Sequence, residues 1–250
     1  MKIHLLSILL GFAFTQAFAD IDRGHLPADA SKRFLFYLHG AIVEGSNGRP
    51  VSSEYGVYEY GKIIETLTSY GFTVYSEIRP AATSQEEYAE KIQRAIQTLL
   101  QEGVPEERIS VVGASKGGVI AAFVSARLKN PQIRYVILAG FYPDLGIERD
   151  LRLHGRVFSI HDASDTTGRI SPEYYFDQSP ELTDKKKLIT KTGQGHGLIF
   201  RPYPEWVMPA IKWLNAEFEK GPSEAPAPTT LFVTPAANAP VAPAAPAAHL

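Results

Sequence analysis

The sequence predicts an α/β protein built on a mostly parallel sheet of about six strands, with helices on both faces. Short apolar runs alternate with amphipathic stretches of helical period along the middle of the chain. Several of the runs are apolar throughout, as strands buried on both faces require. Strand, helix and strand in repeated succession imply right-handed crossovers. In such sheets the chemistry gathers beyond the carboxyl ends of the strands.

The elements follow in order. Residues 34–38, Phe-Leu-Phe-Tyr-Leu, read as the first strand. Residues 57–70 carry Ile63, Ile64 and Leu67 on one helical face and stop at Gly71. Strand 72–75 follows. Ser84 and Glu87 form a capping box for a helix over 84–101, whose apolar face is Tyr88, Ile92, Ile96, Leu99 and Leu100. Gly103 and Pro105 end it. Strand 109–112, helix 119–128, and strands 135–138, 157–160 and 187–190 come next. A last helix over 208–218 has Pro209 in its first turn, where proline is tolerated. Lys185, Lys186 and Lys187 read as a solvated loop ahead of the last strand.

The ends read differently. Lys2, the apolar stretch 3–14 and Ala17-Phe18-Ala19 form a secretory signal over residues 1–19, cut before Asp20. A spanning helix needs about 20 apolar residues, which this stretch lacks, so no integral membrane anchor is expected. The expected location is periplasmic or secreted. Residues 222–250 hold seven prolines and ten alanines, a composition that buries little and predicts a disordered tail. One domain over 20–221 is expected between them. The 250-residue chain has no cysteine, which excludes thiol catalysis and Cys-ligated metals. Net charge is −2 and no basic cluster stands out, so a nucleic-acid partner is not expected.

Four patterns carry chemistry. Gly113-Ala114-Ser115-Lys116-Gly117 is a G-x-S-x-G sequence between a strand and a helix, the setting that lifts a nucleophilic serine above a sheet. His39-Gly40-Ala41 ends the first strand. The backbone N–H groups of Ala41 and of Lys116, the residue after the serine, are placed to serve as an oxyanion hole. Gly193-Gln194-Gly195-His196-Gly197 follows the last strand and offers His196 as base. The strand at 157–160 runs out into Asp162 and Asp165, either of which can orient a histidine. All four patterns fall at carboxyl ends of predicted strands, in the order serine, acid, histidine.

On these motifs the chain resembles the α/β-hydrolase superfamily over roughly residues 30–220, and the stretch 103–118 is similar to bacterial esterases and dienelactone-hydrolase-like members. The resemblance implies a Ser115–Asp165–His196 triad and an acyl-enzyme. It gives the acid role to Asp165 through the frame Ile160-His161-Asp162-Ala163-Ser164-Asp165, with Asp162 where the family usually has glycine. The usual first two strands are missing, and the short span after Leu138 leaves no room for a lid domain. The loop 42–56 would flank the site instead. Glu44, Arg49, Tyr55 and Arg79 could touch substrate there, although an ordinary surface role is the simpler account of each. The expected function is cleavage of a small-molecule carboxylic ester, with no cofactor and no metal. Acyl transfer or amide cleavage by the same triad, and a binding protein on this scaffold, are the competing readings.

Overall fold

The computed structural model describes residues 29–142, 151–167 and 170–216. The signal segment 1–19, the tail 222–250 and residues 143–150, on which the no-lid argument depends, lie outside them. The main sheet has six strands: β1 (Arg33–Leu38), β2 (Phe72–Tyr75), β3 (Ile109–Ala114), β4 (Arg134–Leu138), β5 (Gly155–Asp162) and β6 (Leu182–Thr190). All pairings between them are parallel, in the spatial order β2-β1-β3-β4-β5-β6. A separate two-stranded ribbon pairs Val51–Ser52 with Gly56–Val57. The helices are α1 (Tyr60–Ser69), α2 (Gln85–Gln101), α3 (Lys116–Leu128), the short α4 (Glu173–Asp177) and α5 (Pro204–Asn215). Among the described residues no helix is long and apolar enough to cross a membrane.

The period-2 pleat divides the core into two layers. Phe34, Phe36 and Leu38 of β1 face α2 and α3, packing with Ile92, Ile96, Val119 and Ile120. Leu35 and Tyr37, on the other face, pack with Ile63, Ile64 and Leu67 of α1 and with Trp206 and Ile211 of α5. Helices therefore cover both faces, as strands without polar alternation demand. The chain leaves β1 to form β2 on one side, then crosses to β3 on the other. This reversal opens a crevice at the carboxyl ends of β1 and β3, where the ligand site of such a sheet belongs.

Several bounds differ from expectation for identifiable reasons. The helix expected from residue 57 starts at Tyr60, because Gly56–Val57 pairs in the ribbon and the N–H groups of Tyr58 and Glu59 donate to Pro50 and Phe200 carbonyls. The last helix starts four residues early, with Pro204 in its first turn, so Pro209 falls inside it. Strand β6 starts at Leu182 and takes the three lysines into itself. It is an edge strand with exposed side chains over 183–187. Lysines there discourage pairing with another chain.

The contact that fixes the site is between α3 and the ends of β1 and β3. A Cβ on Gly113 would lie 2.1 Å from the Gly117 carbonyl oxygen, and one on Gly117 would lie 1.9 Å from the Leu38 carbonyl oxygen. Only hydrogen fits at either position, so the helix can start directly at Lys116. We expect Gly117→Ala to destabilise the protein by at least about 3 kcal/mol, since a rigid backbone wall cannot yield as an overpacked side chain can. Gly61→Ala, in α1 with nothing within 4 Å of the added carbon, should be neutral or slightly stabilising. Urea midpoints of the two variants check the pair.

Candidate active site

Ser115 sits between β3 and α3 with φ 51° and ψ −120°, a conformation that costs a non-glycine residue on the order of 1–3 kcal/mol. Its N–H donates to the Leu138 carbonyl at 2.8 Å, and its carbonyl accepts from Gly118 and Val119. The turn is thus held by the end of β4 on one side and the first turn of α3 on the other. Ser115 Oγ lies at the helix N-terminus, where free N–H groups favour negative charge.

Three sequence-selected side chains meet here. His196 Nε2 is 3.0 Å from Ser115 Oγ, and His196 Nδ1 is 2.9 Å from Asp165 Oδ2. His196 belongs to a 3-10 helix, Gly195–Phe200, rather than to an irregular loop, with the Gly197 N–H donating to the Gln194 carbonyl at 2.9 Å. The Asp165 side chain is fully buried. Its other oxygen accepts from the N–H of Thr167 at 3.0 Å and from Thr167 Oγ1 at 2.7 Å. Burial alone would raise its pKa, but the hydrogen bonds from His196 and Thr167 outweigh this and hold the carboxyl well below the ordinary carboxylate range. An ionised Asp165 keeps a proton on Nδ1 and leaves Nε2 facing Ser115 as acceptor.

Asp162 is placed differently. It is almost fully buried, and its two carboxylate oxygens accept from the loops on either side. Oδ1 accepts from the Ser164 N–H at 3.0 Å and Ser164 Oγ at 2.5 Å, and Oδ2 accepts from Thr190 Oγ1, the Thr192 N–H and Thr192 Oγ1 at 2.7–2.8 Å. Ser164 Oγ accepts in turn from the Gly195 N–H at 3.0 Å. Asp162 thereby ties the loop after β5, which carries Asp165, to the loop after β6, which carries His196. Burial pushes its pKa up, but the five donors from Ser164, Thr192 and Thr190 reverse this and hold the carboxyl well below its usual value.

The two proposed anion donors lie on adjoining backbone. Ala41 opens a 3-10 turn, Ala41–Val43, directly after Gly40, and a Cβ on Gly40 would be 3.5 Å from Ser115 Cβ. Lys116 is the first residue of α3. His39 is buried and neutral. Its Nδ1–H donates to the Gly40 carbonyl at 2.8 Å, and Nε2 accepts from the Arg79 N–H at 3.1 Å. Burial, reinforced by the Arg79 charge, lowers its pKa from 6.5 to about 3.

The flanking residues are sorted by burial. Arg79 and Glu44 are not surface groups: Arg79 is fully buried and pairs with Glu44 at 3.1 Å. Arg49 stays exposed. Tyr55 leans on His196, with ring centroids 6.3 Å apart, and occupies the space a side chain at Gly197 would need. Burial, then the neighbouring Glu54, pushes the Tyr55 hydroxyl up to about 12. Two contacts were missed in the sequence reading. Tyr142 Oη is 3.4 Å from Ser115 Oγ, and Thr167 holds Asp165. A tyrosine four residues past a strand and a threonine two past an aspartate are ordinary in loops, although Asp-x-Thr is a recurrent turn pairing that would have pointed to the second. Among the described residues no cluster of His, Asp and Glu is arranged to hold a metal ion.

The chain matches no protein-family model, and no curated protein resembles it in sequence. Solved structures do share its fold. A sugar hydrolase from Lactococcus lactis aligns with TM-score 0.52 and 13% identity over 76% of this chain and 90% of that one. An α/β-hydrolase enzyme from a Medee basin deep-sea metagenome library aligns with TM-score 0.50 and 15% identity, covering 76% and 86%. A monoacylglycerol lipase from Paleococcus ferrophilus aligns with TM-score 0.50 and 16% identity, covering 73% and 94%. The fold is the α/β-hydrolase fold; whether two strands precede β1 falls on residues outside the described ones.

Because the Asp162 carboxylate is held below its unfolded value of 3.8, its stabilisation is complete above that pH and fades as pH falls below it. Asp162→Asn presents an amide to at least one donor and should cost about 2 kcal/mol or more at pH 7. The gap from wild type should close on acidification below pH 3.8. Denaturant titrations at several pH values check both parts.

Proposed function

We propose that this protein is a serine hydrolase that cleaves a small carboxylic ester through an acyl-enzyme on Ser115. The observation that carries the reading is the unbroken path from Ser115 Oγ through the His196 ring to the buried Asp165 carboxylate, with both hydrogen bonds at 2.9–3.0 Å. The fold shared with hydrolases and a lipase supports it.

In this mechanism His196 Nε2 takes the hydroxyl proton as Ser115 Oγ attacks the ester carbonyl. The C=O π electrons move to oxygen, and the N–H groups of Ala41 and Lys116 stabilise that oxyanion. Collapse of the tetrahedral adduct breaks the C–O bond to the alcohol, which leaves with the proton returned by His196. Water then repeats the sequence: His196 takes its proton, its oxygen attacks the acyl carbon, and Ser115 leaves reprotonated, releasing the acid. Asp165 keeps the ring in the tautomer that accepts at Nε2 and stabilises the imidazolium. Tyr142 and Tyr55 border the nucleophile and base, and Ile42, which is exposed, lies beside the oxyanion turn. These aromatic and apolar side chains suit a short acyl or alcohol group.

Ser115→Ala should lower kcat for p-nitrophenyl acetate on the order of 10⁵-fold or more and abolish labelling by a fluorophosphonate probe, with circular dichroism unchanged. Asp165→Asn should lower kcat by about 10⁴ by favouring the wrong tautomer. Near-normal turnover by either folded variant rejects the mechanism.

We further propose that the protein is exported, with Lys2, the apolar stretch 3–14 and Ala17-Phe18-Ala19 as the address. Amino-terminal sequencing of the protein recovered from a bacterial periplasm or medium should find Asp20 first; an intact Met1 rejects the assignment.

A further inference from the structure

Arg79, Glu44 and Lys116 form a chain of charge running behind the backbone that borders Ser115. Glu44 directly follows the turn Ala41–Val43, and its N–H donates to the Ala41 carbonyl at 3.0 Å. Its carboxylate is almost fully buried and divided between two cations: Oε1 accepts from Arg79 Nε at 3.1 Å and Oε2 from Lys116 Nζ at 2.8 Å. Arg79, fully buried in the loop after β2, lies over the Tyr88 ring and makes further hydrogen bonds to the same neighbourhood. Its Nη2 donates to the His39 carbonyl at 2.5 Å, its N–H to His39 Nε2, and its carbonyl accepts from the Gly45 N–H at 2.8 Å. Lys116 is the first residue of α3, directly after Ser115.

From this circuit we infer that Glu44 is a positioning residue for the oxyanion site, holding the Ala41 turn and the Lys116 end of α3 at one fixed separation. The inference rests on the hydrolase reading, since it concerns the two donors that reading assigns. Its physical basis is that the two N–H groups belong to segments distant in sequence. They meet at the ends of β1 and β3, where the pairing between those strands stops at Leu38 and Gly113; past it the seating of Gly117 on the Leu38 and His39 carbonyls sets the helix, and Glu44 ties the Ala41 turn to it. A flexible surface ion pair would be screened and worth little. This carboxylate is out of water, has both oxygens engaged, and pulls on both sides of the gap. The three side chains together carry one net positive charge, and Arg79 Nη1 has no hydrogen-bond partner among the described residues. The positive excess therefore sits close behind the point where negative charge would develop, at no cost of reorganisation during reaction.

The test is a set of kinetic measurements on the full chain with p-nitrophenyl acetate, with thermal melts in parallel. Misplacing one main-chain donor by about an ångström should lower kcat roughly 10²-fold in Glu44→Ala while KM stays near wild type. Glu44→Gln, which keeps the shape and can accept from only one cation, should fall between. Lys116→Met keeps the helix and the N–H but cuts one arm, and should reproduce part of the loss. Glu44→Ala/Lys116→Met should be no slower than Glu44→Ala alone, because both act through one link. A destabilised but unaltered site would instead show a lower melting temperature with normal kcat. That result, or strictly additive losses in the double variant, overturns the inference while leaving the Ser115 mechanism standing. Wild-type protein that neither turns over esters nor labels with a fluorophosphonate overturns the hydrolase reading and this inference with it.

Discussion

The close approach of α3 to the ends of β1 and β3 is the constraint on which the rest of this site depends. Gly113 and Gly117 have no side chains, so the helix can begin one residue after the strand turns. The residue caught in that turn, Ser115, has no relaxed conformation open to it. The core packing of the whole α3 face, from Val119 to Val124, holds it there. The Leu138 carbonyl and the first helical N–H groups complete the restraint. A buried, close-packed interior transmits such a local requirement because it cannot deform gradually.

Two carboxylates three residues apart divide the remaining work. Asp165 faces His196 and is held from behind by Thr167. Asp162 faces away from the site and fastens the loops that bear Asp165 and His196. Both are buried, both are kept ionised by donors, and only the identity of the donors separates their roles. A histidine on one and three hydroxyls with two backbone N–H groups on the other make the first an orienting group and the second a brace. The glycine that the resemblance implies at position 162 could not act as such a brace, which gives the departure from that pattern a structural role.

The main outline was legible in the sequence because it is written in patterns with a fixed period. Short apolar runs located the six strands, and Gly103 and Pro105 ended α2 where the structure ends it. The Ser115, Asp165 and His196 positions were legible because each follows a strand. What was not legible depends on contacts with no period. Pro204 and Pro209 are equally good helix starters locally, and the burial of Trp206 in the core layer on that face of the sheet decides for the first. The three lysines read as loop because polarity on both faces mimics solvent. A sheet edge gives the same signal. Arg79 looked like a surface cation, and only the fold brings Glu44, His39 and Tyr88 around it.

The left-handed backbone at Ser115 has a consequence for how such a protein can change over evolutionary time. A glycine there would adopt the same angles without strain, so replacing Ser115 by glycine would relieve the backbone and remove the hydroxyl together. Stability and chemistry pull in opposite directions at a single position. Drift toward higher melting temperature would, without selection on turnover, erase the hydroxyl first. A serine held in a conformation that serine disfavours fits the proposed demand on its hydroxyl, one that folding alone does not make.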